Sequence, residues 1–337
     1  MSRVPVSAGP IFVVGAPRSG TSLMRLILNA HSRIAIPEET NYFPSVFEPW
    51  QEKAEDGDSW PQAVNTYLSA SSEFLHPPVD LNEVRATLLG SPRDFAQLLS
   101  LPLESWARSQ GKVRWGEKTP THIFFADVIV RMFPDARFAE LIRDPRSTVA
   151  SMNRFHWASD DTVLNACWWR DSMSKGRRLL LSAVPDDRRI SVRYEQLVTE
   201  PELVIRNVCR FLGEAYESTM LSFNETASRY VKGAYDPKLL QPISAGPDWH
   251  NSLTRQQVAM VEAICGTEME DLGYERTGIA LSRREKAAAQ AKPSYVAWKH
   301  WQHRTQRYHP VMYRPGSMGE LRRLGTALLT RPRGDRE

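Results

Sequence analysis

IFVVGAPRSGTSLMR, residues Ile11 to Arg25, reads as a buried strand that passes through a glycine-containing turn into a helix. Ile11, Phe12, Val13 and Val14 form an apolar run without polar alternation, which suits a parallel strand covered on both faces. Leu23, Leu26, Ile27 and Ala30 fall at i, i+3, i+4 and i+7, so the spacing predicts an amphipathic helix near 20–31. Gly15 and Gly20 let the chain turn tightly, which aims several backbone N–H groups and the positive helix end at one phosphate or sulfate. Arg18, directly after Pro17, adds a cation, and Ser19, Thr21 and Ser22 add three hydroxyls. Gly15 and Gly20 are spaced as in the nucleoside-triphosphate loop G-x-x-x-x-G-K-[ST]. Thr21 stands where that motif requires lysine, which disfavours an ordinary ATPase or kinase.

The run G-A-P-R-S-G-T-S-L-M-R closely resembles the 5′-phosphosulfate loop of sulfotransferases that use 3′-phosphoadenosine 5′-phosphosulfate, particularly the Golgi and bacterial branches. The resemblance implies that Pro17, Arg18, Ser19, Gly20, Thr21 and Ser22 hold the 5′-phosphosulfate, with Arg18 also acting in catalysis. RFAELI, Arg137 to Ile142, reads as another strand, broken by Arg143-Asp144-Pro145-Arg146 before a helix expected from about Ser147. Arg143 then sits at the carboxyl edge of a strand, where open α/β sheets bind ligands. Ser151 follows two helical turns on, giving R-D-P-R-S-T-V-A-S. That segment resembles the family's 3′-phosphate motif, which implies that Arg143 and Ser151 hold the 3′-phosphate. An arginine fork is well matched to a phosphate dianion.

Other positions extend the resemblance. Ile36-Pro37-Glu38-Glu39-Thr40 is similar to a segment of tyrosylprotein sulfotransferases in which the second glutamate is the catalytic base, which implies that role for Glu39. Trp115-Gly116-Glu117-Lys118-Thr119-Pro120 resembles the Glu-Lys-Thr/Ser-Pro element of heparan-type and related bacterial sulfotransferases, which places Lys118 near the transferring sulfuryl group. Locally, Thr119 reads as a helix N-cap and Pro120 as the first helical residue. Ile190 to Leu197, ISVRYEQL, resembles a family strand whose tyrosine lies beside the nucleotide, so Tyr194 is a candidate there, with core packing as its alternative. Ser244-Ala245-Gly246-Pro247-Asp248-Trp249 resembles a late loop of the form S-x-G-x-W, which makes Ser244 a candidate 3′-phosphate donor. Related loops carry arginines beside the tryptophan, where this chain has Pro247-Asp248 and His250. Arg154, a candidate helper, is one residue off the tyrosylprotein pattern. His31, His122 and His156 are rival bases. In cytosolic sulfotransferases a histidine follows the lysine of Lys-Thr-His, but His122 comes two positions later than that, which favours Glu39.

At 337 residues the chain is long enough for two domains or one enlarged α/β domain. Four strand-helix units are expected, with strands near 11–15, 112–116, 137–142 and 190–194. Their alternation predicts a P-loop-like parallel sheet with helices on both faces. The last unit ends in a helix from Pro201 to Leu212, stopped by Gly213. An insert near 45–110, with Trp50, Trp60, Tyr67, Phe74 and Trp106, reads as helices and loops beyond the sheet edge. Together with Phe155, Trp157, Trp168 and Trp169 it is assigned to the acceptor pocket, although core packing is the commoner role of such side chains. Three scattered cysteines suit neither a disulfide framework nor a zinc site. The resemblance implies that no metal is used, the positive field coming from arginine, lysine and backbone dipoles. No apolar run of roughly 18 residues and no signal-peptide core occur, so a cytoplasmic location is expected.

From Arg283 onward there are 13 Lys or Arg against 4 Asp or Glu, and before it 30 against 35, so the excess positive charge lies in the tail. Trp298, Trp301, Tyr308 and Tyr313 are interleaved with it. Residues 1–282 are therefore expected to form the sulfotransferase unit and 283–337 a basic aromatic extension. The extension could meet the inner membrane surface, nucleic acid or an acidic acceptor, or pack across the catalytic unit; no specific nucleic acid is expected. The function implied is sulfuryl transfer from 3′-phosphoadenosine 5′-phosphosulfate to a hydroxyl of a phenol, sugar, lipid or peptide tyrosine. The alternatives are a nucleotide-binding or membrane-associated protein without turnover and a diverged P-loop kinase. Acceptor and oligomeric state stay open.

Overall fold

The computed structural model describes residues 9–283 except 52, 54–58, 156–157, 159–160, 232–236 and 247, with 285 and 287 in addition. The opening apolar run is strand β1, Ile11–Gly15, and its four apolar side chains are fully buried. Beside it lie β2 (Ile34–Ala35), β3 (Arg114–Lys118), β4 (Arg137–Ile142) and β5 (Arg189–Arg193) in the order β2-β3-β1-β4-β5, all pairs parallel. The chain crosses from β3 on one side of β1 to β4 on the other. The strand order therefore reverses at β1, and the crevice beyond the carboxyl ends of β1, β3 and β4 is where such sheets take ligands. Register puts Val13 opposite Lys118 and Gly15 opposite Leu141, so the three strands deliver their following segments to one end of the sheet.

Side chains alternate across a strand, and β1 feeds two cores accordingly. Ile11 and Val13 join Leu23, Met24, Ile27 and Leu28 of the helix Thr21–Asn29 and Ile205, Val208 and Leu212 of the helix Pro201–Leu212. Gly213, at φ 75°, ends the latter helix as the sequence predicts. The first helix is less amphipathic than its spacing suggests. Met24, Arg25, Leu28 and Asn29 are buried along with Leu23, Leu26 and Ile27, because the turn Ser218–Ser222 packs on it and Arg25 donates to the Tyr230 carbonyl at 3.1 Å.

Phe12 and Val14 face the other way, against Trp115 and Phe138 and the insert helices Ser59–Phe74, Asn82–Gly90 and Phe95–Ser109. Here the acceptor-pocket expectation is corrected. Trp60, Tyr67, Phe74 and Trp106 are buried in the same core as Phe12. A parallel sheet needs cover on both faces, and the insert supplies it on the face that the first helix leaves open. A third core joins Val149, Leu164 and Trp169 to Cys265 and Met269 of the helix Arg255–Asp271. Among the described residues no helix is long and apolar enough to cross a membrane.

Two boundaries move in ways that matter for the site. β3 starts two residues later than expected, since Lys112 N–H is held by the Ala107 carbonyl and Val113 and Arg114 N–H both turn to the Arg33 carbonyl. Glu117 and Lys118 consequently lie on the strand itself. The helix after β4 starts early, at Pro145, because the Asp144 side chain caps it by accepting from Arg146 N–H at 2.8 Å.

Lys112 is buried just ahead of β3, its ammonium donating to the Asn29 carbonyl. Burial lowers its pKa from the usual 10.5 to about 8, with Glu217 opposing the shift. Between those two values the unfolded chain binds more protons at this group than the folded one, so its contribution to stability rises with pH in that window. Lys112→Met is expected to be stabilised relative to wild type at pH 7, with the advantage shrinking as pH climbs from 8 towards 10. Urea melts of both proteins across this range check it; a difference independent of pH would refute it.

Candidate functional site

The turn after β1 is built around two glycines. Gly20 has φ +104°, and a Cβ there would stand 2.5 Å from the Tyr194 ring; Gly15 has φ +149°, and a Cβ there would stand 2.5 Å from the Leu141 carbonyl oxygen. Arg18 adopts φ 66°, an unusual left-handed value for a non-glycine residue. Pro17 and Ser19 are buried, and Ser19 Oγ has no hydrogen-bond partner among the described residues. The first-turn amides of the helix from Thr21 have no acceptor within it. Arg18 reaches away from the turn, donating from Nε to Ser151 Oγ at 3.1 Å, with its guanidinium 4.0 Å over the Phe155 ring.

The segment after β4 meets this turn. Arg143 is 5% exposed, donates to the Arg18 carbonyl at 3.1 Å and lies 4.0 Å over the Tyr194 ring. Burial lowers the pKa of its guanidinium, with Tyr194, Glu195 and Asp144 opposing, and its Nε has no partner among the described residues. A buried cation with a spare donor, next to a hydroxyl without a partner and the amides of a helix start, fits an anion with several oxygens. The pieces below are braced. Trp169 donates its indole N–H to the Arg143 carbonyl at 3.0 Å, and Glu195 accepts from Asp144 N–H and Tyr274 Oη, each at 3.0 Å. Trp169 is fully buried and braces Arg143, which corrects its assignment to an acceptor pocket, while the half-buried Phe155 stacks on Arg18. Ser244 is exposed, but its loop comes close: a Cβ on Gly246 would fall 2.3 Å from Arg143 Nη2 and 3.0 Å from Tyr194 Oη. Arg154 is exposed, and Trp157 and His156 lie outside the described residues, as does the basic segment from 283 on apart from a few of its first residues.

At the end of β3 the Lys118 ammonium is fully buried, donating to Glu39 Oε1 at 2.7 Å and to Ser22 Oγ at 3.1 Å. One lysine thus joins the segment from Ile36 to Thr40 to the turn after β1. The Glu39 side chain is 34% exposed, within reach of an acceptor arriving from solvent. Two of the three rival histidines are otherwise engaged. His31 lies between the Ala215 carbonyl and Arg33 N–H, while His122 is buried with Nδ1 2.7 Å from Glu117 Oε2 and packs edge-on to Phe43. Thr119 departs from its expected role. Its side chain makes no cap hydrogen bond and donates to Glu117 Oε1 at 2.6 Å instead. Sequence reading missed Glu117 altogether, because the threonine that meets it from the other side, Thr40, is 77 residues away.

A family model described as the sulfotransferase family matches residues 10–218. The chain belongs to that family. Within it, the protein-tyrosine sulfotransferase of Drosophila melanogaster is 28% identical over 222 residues, covering 64% of this chain and 40% of that protein. Protein-tyrosine sulfotransferase 2 of Gallus gallus is 28% identical over 222 residues, covering 64% of this chain and 54% of that one. The chain thus spans about half the length of these relatives. Among solved structures, the sulfotransferase domain of the Synechococcus PCC 7002 olefin synthase is 18% identical with a TM-score of 0.45, covering 86% of this chain and 97% of that one.

Proposed function

We propose that the chain transfers a sulfuryl group from 3′-phosphoadenosine 5′-phosphosulfate to a hydroxyl acceptor. The observation that carries this reading is the convergence, at one end of the sheet, of the Gly15–Gly20 turn, the under-partnered Arg143 and the Lys118–Glu39 pair. Arg143 and Ser151 would hold the 3′-phosphate, with Tyr194 fixing the guanidinium from below and Ser244 approaching from the late loop. Pro17, Arg18, Ser19, Gly20, Thr21 and Ser22 would hold the 5′-phosphosulfate. When bound, the nucleotide supplies an activated sulfuryl group; the acceptor oxygen bonds to sulfur as the bond to the 5′-phosphate breaks. Glu39 takes the hydroxyl proton. Lys118 and the helix start supply a positive field that is already in place, so it costs no reorganisation as charge builds on the sulfuryl oxygens.

A phenol gives up its proton more readily than an alcohol, and the relatives are named for protein tyrosine, so a peptide tyrosine is the acceptor we favour. Residues 1–282 form the catalytic unit in this reading. Peripheral contact at a membrane through 283–337 would rest on the charge of that segment.

Calorimetry with adenosine 3′,5′-bisphosphate, adenosine 5′-phosphate and ATP tests the nucleotide. The bisphosphate is expected to bind more tightly than ATP, whereas a diverged kinase would show the reverse. Arg143→Ala should cost the bisphosphate about 1.5–3 kcal/mol, as a hydrogen-bonded charge does, and the 5′-phosphate much less. Equal losses for both ligands would sink the assignment of Arg143 to the 3′-phosphate.

A further inference from the structure

Glu39 sits on a segment that no strand pairing holds. On its amino side Ile36 N–H donates to Asn29 Oδ1 at 3.1 Å and Glu38 N–H to the Phe74 carbonyl at 3.3 Å. On its carboxyl side the contacts end on one carboxylate. Glu117 Oε1 accepts from Thr40 Oγ1 at 3.0 Å, from Thr40 N–H at 3.4 Å and from Thr119 Oγ1 at 2.6 Å. Each threonine oxygen accepts in turn from the backbone, Thr40 from Tyr42 N–H and Thr119 from Asn41 N–H, both at 3.2 Å. Asn41 itself has φ 48°, a left-handed conformation that needs such support. Oε2 of Glu117 is occupied by His122.

The placement of this network is specific. Thr40 follows Glu39, and Glu117 and Thr119 flank Lys118. Glu117, Thr40, Thr119 and His122 are all buried, at no more than 1% exposure, so none of them meets an acceptor directly. Burying a carboxylate is costly unless its charge is matched. Here burial pushes the Glu117 pKa up, but His122, Thr119 and Thr40 outweigh that and leave it below the usual carboxylate value. As an anion it has only acceptor oxygens, which dictates that both threonines point their hydroxyl hydrogens at it. Their lone pairs are then fixed on the backbone amides of Asn41 and Tyr42, the two that follow Thr40. β3 is already held by β1 and β2, so holding the strand does not require this carboxylate.

We propose that Thr40, Glu117 and Thr119 are positioning residues that set Glu39 against Lys118 and thereby hold the proton acceptor at its working distance from the sulfuryl site. The proposal rests on the sulfotransferase reading above. A misplacement of about 1 Å in such a group costs on the order of 10²-fold in rate.

Thr40→Val and Thr119→Val remove each hydroxyl with little change of shape, and Thr40→Ser and Thr119→Ser keep it. Single-turnover rates with 3′-phosphoadenosine 5′-phosphosulfate and a saturating tyrosine-containing peptide should fall about 10²-fold in each valine variant. Affinity for adenosine 3′,5′-bisphosphate should stay at the wild-type value, and the serine variants should recover most of the rate. The double valine variant should lose less than the product of the single losses, since both hydroxyls act through one carboxylate. Glu117→Gln, which keeps an acceptor oxygen for the threonines, is expected to fold, bind the bisphosphate and lose less rate than the valine variants. Valine variants as fast as wild type, serine variants as slow as valine ones, or bisphosphate affinity lost in step with rate would each overturn the proposal. A wild-type protein that neither bound the bisphosphate nor turned over would sink the sulfotransferase reading instead.

Discussion

Glu39→Gln is expected to lose about 10²- to 10⁴-fold in single-turnover rate towards a tyrosine-containing peptide, the range for removing a general base, and to keep its affinity for adenosine 3′,5′-bisphosphate. Glutamine preserves the length of the side chain and can still accept from Lys118 through its amide oxygen, so the 2.7 Å contact has a substitute. What disappears is the basic oxygen. The substitution also strips the counter-charge from an ammonium that is fully buried, so a lower melting temperature accompanies the rate loss. Retained bisphosphate affinity separates this from general unfolding. His122→Ala should lose less rate than Glu39→Gln, and only indirectly, because the buried imidazole holds Glu117 Oε2 and reaches the acceptor site through that carboxylate alone. Should His122→Ala collapse while Glu39→Gln survives, the proton goes to the histidine and Glu39 is only the partner of Lys118.

The sheet and its ligand-facing end could be read from the sequence because each chemical motif follows a strand. The Gly15–Gly20 turn, Lys118, Arg143 and Tyr194 stand at the ends of β1, β3, β4 and β5, and a parallel sheet brings such ends together whatever their separation along the chain. The fate of the insert aromatics was not readable in the same way. An indole or phenol suits a core and a pocket equally, and only the alternation of Phe12 and Val14 against Ile11 and Val13 shows which face lacked cover. Thr119 shows one local rule overridden by a contact that is just as local, two residues back along the strand. A threonine ahead of proline at a helix start is a good cap by propensity, but its hydroxyl goes to a buried carboxylate that neither neighbour could match. The pattern R-D-P-R was legible as a turn with Arg143 at the strand edge, but the role of Arg146 was not, because its partner Glu262 lies 116 residues away.

Those two arginines have opposite environments and should fail in opposite ways. Arg146 donates to both oxygens of Asp144, at 2.7 to 3.3 Å, to Glu262 Oε1 at 2.9 Å and to the Glu275 carbonyl at 3.0 Å, with its guanidinium 4.2 Å over Trp249. Burial works against its charge, but the bonds from Asp144 and Glu262 outweigh that and raise its pKa. It ties the turn after β4 to the helix Arg255–Asp271, whose Glu262 also accepts from Thr277 N–H and Oγ1. Arg146→Met leaves two carboxylates buried beside an apolar chain, and removing one partner of such a cluster costs about 3–5 kcal/mol. Arg143 lacks a partner at Nε, and burial disfavours its charge, so Arg143→Met should leave stability close to wild type while abolishing the preference for the 3′-phosphate. Urea unfolding and bisphosphate calorimetry on both variants form a two-by-two test. Stability should fall for Arg146→Met alone, and under conditions where it remains folded its nucleotide preference should persist. Comparable stability losses in the two variants would show that Arg143 too is part of the scaffold, and the spare donor at its Nε would then say nothing about a ligand.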